Sequence, residues 1–273
     1  MPTTLIYYTL QLADNALIHG HRMSEWCGHG PVLEQDIALS NIALDHIGQA
    51  RSFYQYAASL CNALPDAEKQ KLFSSPALHQ KTAAGAAFNE DDLAYLRDGW
   101  DFRNLLLVEQ PNNDWAYTSA KCFFLDVFNQ LYFSALRESN DVTLAAIAEK
   151  SLKEVNYHLR WSSEWVIRLG DGTEESKRRM QQAIDDLWMF TGELLDQTEV
   201  ETALGTKNIA PGPDQFSQQW KDKVAATFEE ATLTVPKADW MQEGGKSGRH
   251  TEHLGYILAE MQHMQRAYPG MEW

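Results

Sequence analysis

Acids and histidines that could do chemistry fall one or two to a segment along this chain. Glu25 sits in MSEW, Asp45 and His46 in NIALDHIGQAR, Asp126 in CFFLDVFNQ, and Glu154 and His158 in LKEVNYHLRW. Each lies among apolar or aromatic neighbours, and Asp126 is flanked by Phe124, Leu125, Val127 and Phe128. A charged group in that company faces either the protein interior or a partner. Four helices that each present such a group can build a carboxylate-bridged di-metal centre. That centre takes one carboxylate from each of two helices and a Glu-x-x-His pair from each of two others. Residues three apart share a helix face, so one ion reaches both the bridging carboxylate and the imidazole. Carboxylate oxygens with one imidazole per ion suit iron or manganese.

The elements needed to position these groups are long helices. Apolar residues recur at helical spacing from Leu5 to Trp26, and Gly28, Gly30 and Pro31 mark the junction to a second helix. That helix runs from Pro31 to about Leu64, and its pattern puts Leu33, Ile37, Leu44, Ile47 and Phe53 on one broad face. A looser stretch spans 67–89, and helical spacing resumes from Asp91 to Glu109. Trp115 to Ser139 reads as a fully buried aromatic helix and Asp141 to Gly170 as another long one. Thr173 to about Thr202 continues the pattern, opened by acids in the first turn. Asp214 to Glu230 and about His250 to Ala267 are the last helices. A Thr-Leu-Thr-Val patch at 232–235 is too short to argue for a strand. The expected architecture is all-α, a single domain with a core bundle over about 3–202 and a C-terminal extension over about 203–273.

The spacing of the site groups is incomplete. A Glu-x-x-His pair built on Asp45 needs a histidine at 48, where Gly48 stands. Pairing His46 instead needs an acid at 43, which is Ala43. The residue three before His158 is Val155, and Glu154 points elsewhere around the helix. A bridging carboxylate and a histidine are therefore missing. The expectation is a remnant in which Glu25, Asp45, Asp126 and His158 are hydrogen-bonded or salt-bridged rather than ligating. Gly48 and Val155 mark the lost ligand positions. The alternative is a metal-dependent oxidase or oxygenase using the reduced set Asp45, Asp126 and His158.

Composition limits the other possibilities. The chain has 273 residues and a formal charge of −15. It lacks the basic surface that nucleic-acid or anionic-membrane binding requires. No apolar run is long enough to span a bilayer, and the N-terminal stretch lacks the basic start of a signal peptide. Three widely spaced cysteines (Cys27, Cys61, Cys122) read as reduced thiols, which favours a cytoplasmic protein. Phosphate-binding glycine motifs, cysteine zinc patterns and a Gly-x-Ser-x-Gly elbow are all absent. His250 and His253, three apart, read as helix-start residues. Trp161, Trp165 and Trp188 read as core or interface aromatics, and Glu174, Glu175, Asp185 and Asp186 as a solvated face.

Three segments carry a family resemblance: GHRMSEWCGHGPVLEQDIALSNIALDHIGQAR, KEVNYHLRWSSEWVIRLGDGTEESKRRMQ and GRHTEHLGYILAEMQHMQRAYPG. They closely resemble the C subunits of ring-1,2-phenylacetyl-CoA epoxidases, and the similarity extends over essentially the whole chain. The resemblance implies a ferritin-like bundle related to bacterial multicomponent monooxygenases. It implies a structural subunit, with no catalytic residue and no cofactor of its own. Its partners would be a catalytic subunit that carries the di-iron site, together with small accessory subunits. A homodimer of the isolated chain is compatible with the sequence. Against the catalytic pattern, Glu25 matches a first-helix ligand and Asp126 the third-helix acid. Asp45 stands for the first Glu, Gly48 for its His and Val155 for the second bridging Glu, while His158 keeps the second His.

Overall fold

The computed structural model describes residues 2–237 and 240–271. Four long helices form its centre: α1 (Pro2–Glu25), α2 (Leu33–Asn62), α3 (Trp115–Leu136) and α4 (Val142–Gly170). The chain is an all-α, ferritin-like bundle, with no strand among the described residues. α1 packs along α2 and α3 along α4, and α2 also meets α4. The connection 63–114 between α2 and α3 holds only short helices, and it is the long crossover that distinguishes this topology from a simple up-and-down bundle.

Local chemistry explains where the helices start. Asp114 caps α3 by accepting the amides of Ala116 and Tyr117 at 2.9 and 3.0 Å. Asp141 does the same for Thr143 and Leu144 at α4, at 3.1 and 3.0 Å. α2 has no side-chain cap, but Glu34 and Asp36 lie in its first turn, where the helix dipole favours them. The Asp36 carboxylate also folds the preceding loop by accepting the amides of Gly28 and Gly30. α1 and α2 cross closely at Gly20, where a Cβ would lie 3.0 Å from Ile47 Cδ1 and 3.2 Å from His46 Cβ.

Three segments depart from the periodicity. The expected helix over 91–109 is broken into Glu90–Tyr95, a 3₁₀ turn at Gly99–Asp101 and Leu106–Glu109. Arg97 causes the break. It turns inward, pairs with Asp14 of α1 and donates to the carbonyls of Leu93 and Asp101, with neither charged side chain exposed. The helix expected from Thr173 to Thr202 stops at Trp188, giving α5 (Glu174–Trp188). There the Thr191 hydroxyl donates to the Trp188 carbonyl, and Met241 packs where a Cβ on Gly192 would stand. The C-terminal helix divides into Glu252–Met261 and His263–Ala267. His250 lies before it, with its Nδ1 3.2 Å from the Glu109 carboxylate and its Nε2 3.0 Å from the Phe102 carbonyl.

The inward face of α2 also differs from the expected one. Leu39, Ile42, His46 and Phe53 are buried, whereas Leu33, Ile37 and Leu44 are 70%, 54% and 68% exposed. The sequence pattern merged two apolar stripes on different sides of one helix.

The C-terminal stretch shares the same core. Trp220, Val224 and Phe228 of α6 (Ser217–Glu230) are buried in one continuous cluster with Phe123 and Phe124 of α3. Glu193 fastens the stretch to the crossover. Its buried carboxylate accepts the amides of Leu106, Gly244 and Lys246 at 2.9, 3.0 and 3.1 Å. All three cysteines are free thiols, and among the described residues no helix is long and apolar enough to cross a membrane.

Candidate metal centre

The four long helices each contribute polar groups to one buried cluster. α1 supplies His19, α2 His46, α3 Cys122 and Asp126, and α4 His158 and Ser162, all of them buried. The rings of His19 and His46 meet edge-on with centroids 4.7 Å apart, and those of His46 and His158 lie 5.0 Å apart. One ligand atom from each of His46, Asp126 and His158 falls within 4.8 Å of the other two. The helical repeat accounts for this convergence. Cys122 and Asp126, like His158 and Ser162, are spaced i,i+4, so each pair projects from one face of its helix.

Hydrogen bonding within the cluster is incomplete. Ser162 donates to Asp126 Oδ2 at 2.8 Å, leaving Oδ1 without a partner. His158 Nε2 lies 3.0 Å from Asp45 Oδ2, and a carboxylate there fixes the tautomer with the proton on Nε2. The bare Nδ1 of His158 has no partner, and neither do His46 Nε2 and His19 Nδ1. His19 Nε2 stands 3.9 Å from the Cys122 thiol, which in turn lies 3.4 Å from Met23 Sδ.

Burial sets the ionisation of these groups. Desolvation holds His19 and His46 well below the usual imidazole range, so both rings are neutral. It pushes the Asp126 carboxyl up to about 7, against the lowering effects of His158 and the Ser162 hydrogen bond. The Cys122 thiol is likewise pushed far up by burial. Just outside the cluster, Lys121 is fully buried and donates to the Gln110 carbonyl and Asn112 Oδ1, both at 2.7 Å. Its ammonium is brought down to about 7, chiefly by desolvation.

Comparison with known proteins adds the family. The sequence profile described as "Phenylacetic acid catabolic protein" matches residues 1–273. The chain belongs to the phenylacetic acid catabolic protein family. A relative from Escherichia coli (strain K12), the C subunit of 1,2-phenylacetyl-CoA epoxidase, is 47% identical over 269 residues. That match covers 98% of this chain and 99% of the relative.

In this member of the phenylacetic acid catabolic protein family, the structure separates the residues singled out from sequence. Asp45 joins His158, and Asp126 lies beside it. Glu25 is elsewhere: its carboxylate is 54% exposed and pairs with Arg22 at 2.7 Å. Val155 is fully buried one turn from His158, on the face where a bridging carboxylate would stand. Gly48 lies about 200° around α2 from His46. A Cβ on it would meet nothing within 4 Å. The residue three before His46 is Ala43, which is buried, and three after it the Gln49 amide donates to Glu154 Oε2 at 2.9 Å.

This donor set does not fit a carboxylate-bridged di-iron centre. Asp126 is the one carboxylate buried at the cluster among the described residues, and the positions three before His46 and His158, which should supply bridges, hold Ala43 and Val155. Sequence reasoning passed over His19 and Cys122 and gave His46 no role. The spacing of Cys122 to Asp126 was the available signal, since it places the thiol on the face of a residue already selected.

Proposed function

We propose that this chain is the non-catalytic, structural subunit of a cytoplasmic multicomponent oxygenase that epoxidises the aromatic ring of phenylacetyl-CoA. In this reading it packs against a di-iron catalytic subunit and stabilises the conformation in which that subunit holds iron and the CoA thioester. Small accessory subunits complete the assembly. The observation that carries the proposal is the donor set of the bundle interior. With Val155 and Ala43 at the bridging positions, the chain has no means of sharing carboxylates between two irons and so of activating oxygen at such a centre. The name of the E. coli relative supports the assignment to an epoxidase.

A surface feature supports the pairing. Leu33, Ile37 and Leu44 form an exposed apolar stripe near the start of α2, continued toward the loop by Val32, which is 52% exposed. Helical geometry puts the three α2 residues within about 40° of one another around the axis. Such a stripe costs solubility unless another surface covers it.

The test is reconstitution. The purified chain alone should turn over no phenylacetyl-CoA, and turnover should appear when the catalytic subunit and reductase are added. Oxygenation by the isolated chain, with two irons retained per chain, would overturn the proposal.

A further inference from the structure

The buried cluster is unsuited to two irons, but its geometry matches the needs of a single ion. His46 Nε2, Asp126 Oδ1 and His158 Nδ1 are all buried, and none has a hydrogen-bond partner. Left bare, each carries the desolvation penalty of an unpaired buried polar atom. Three residues on three different helices, each with an unpartnered atom and with one ligand atom apiece within 4.8 Å of the others, call for a common partner.

We propose that His46, Asp126 and His158 bind one divalent transition-metal ion, zinc by the chemistry of the donors. The ion serves as a structural tie between α2, α3 and α4. One ligand atom from each residue lies no more than 4.8 Å from the other two, and three such atoms always have a point within about 2.8 Å of all of them. A zinc–nitrogen bond is about 2.0–2.1 Å, so each donor needs to move inward by about 0.7 Å, the scale of a small side-chain rotation. Two imidazoles and one carboxylate form the mixed nitrogen and oxygen set that zinc accepts, with a fourth position to be filled by water or by the adjacent His19.

The surroundings match those of a metal ligand. His158 Nδ1 is buried and unpartnered while its Nε2–H donates to the Asp45 carboxylate. A histidine that ligates metal almost always donates its other N–H in this way, which orients the ring and raises its basicity. Asp45 is therefore a positioning residue outside the ligand set, not a ligand. Its side chain is 36% exposed and marks the edge of the cluster. Glu154, half-buried and bonded to Gln49 across the same α2–α4 seam, adds a second carboxylate there. Two acids at that rim favour entry of a cation over an anion. The site is independent of the proposed pairing, because every group in it belongs to this chain.

The experiment is metal binding by the full-length chain, stripped with chelator, loaded with zinc(II) and freed of excess by gel filtration. One equivalent of zinc per chain is expected. Cobalt(II) in its place should give the visible absorption of a low-coordinate nitrogen and oxygen site. Asp126→Asn, which keeps the shape of the side chain, and His46→Leu should each lose stoichiometric binding. Asp45→Asn should weaken it by about 10–100-fold, and His253→Ala should retain it. Circular dichroism shows which variants fold, and Asp126→Asn alone suffices if His46→Leu does not. No retained metal, two equivalents, or one equivalent undiminished in Asp126→Asn would overturn the proposal.

Discussion

The exposed stripe on α2 permits a quantitative test of the proposed pairing. Complete burial of a leucine or isoleucine contributes about 2 kcal/mol. With Leu33, Ile37 and Leu44 exposed by 70%, 54% and 68%, covering all three would contribute about 4 kcal/mol. Every 1.4 kcal/mol is a factor of ten in Kd, so the stripe is worth about three decades of affinity. The perturbation is the double variant Leu33→Glu with Leu44→Glu. It removes about 3 kcal/mol of that burial and sets two carboxylates against an apolar partner surface, so Kd should rise at least about 100-fold. Because both side chains face water in the free chain, the urea midpoint of the isolated variant should match that of the parent. The assay is titration of the catalytic subunit by calorimetry or biolayer interferometry, with unfolding curves on the same samples. An affinity unchanged within about threefold, under half a decade on that scale, would refute the placement of the interface. So would a loss of affinity that merely follows a loss of stability.

Two further predictions concern the bundle itself. Asp14→Ala leaves the buried Arg97 guanidinium without its carboxylate and should cost about 3–5 kcal/mol in urea unfolding. Asp14→Leu combined with Arg97→Met should recover much of that loss, and no recovery would show that the pair does more than neutralise itself. Lys121 gives a pH signature. Its folded pKa is about 7 against a usual 10.5, so between those values the unfolded chain holds a proton that the folded chain does not. Stability should therefore rise with pH across that window, by up to about 1.4 kcal/mol per pH unit, and this gain is lost as pH falls toward 7. Lys121→Met should flatten the slope between pH 7 and 9. An equal slope in both proteins would place the proton elsewhere.

The sequence disclosed the long helices because their starts carry their own chemistry, as Asp114 and Asp141 do, and because α3 is apolar on every side. It did not disclose the orientation of α2. Leu33, Ile37 and Leu44 have the composition of core residues, and nothing local separates a stripe kept for a partner from one kept for the interior. The break at Arg97 and the anchor at Glu193 were hidden for a related reason. Each is a polar residue turned inward by groups distant in sequence, so helical spacing runs on past it. The site was half legible. Asp126 and His158 are conspicuous in their apolar surroundings, and the absence of a bridge at Val155 can be read directly. The part played by His46 depends on which side of α2 is buried, and that was the fact the pattern obscured.

Glu193 bears on how this chain can be shortened. One carboxylate gathers amides from the crossover at 106 and from the stretch at 244–246. A chain ending near 202 would strand that charge in an apolar interior with two of its three donors gone, and would bare the side of α3 that Trp220 and Phe228 cover. The last seventy or so residues are thus no appendage that a minimal bundle can shed. They act as a keystone, completing a core that the earlier helices by themselves leave open on one side.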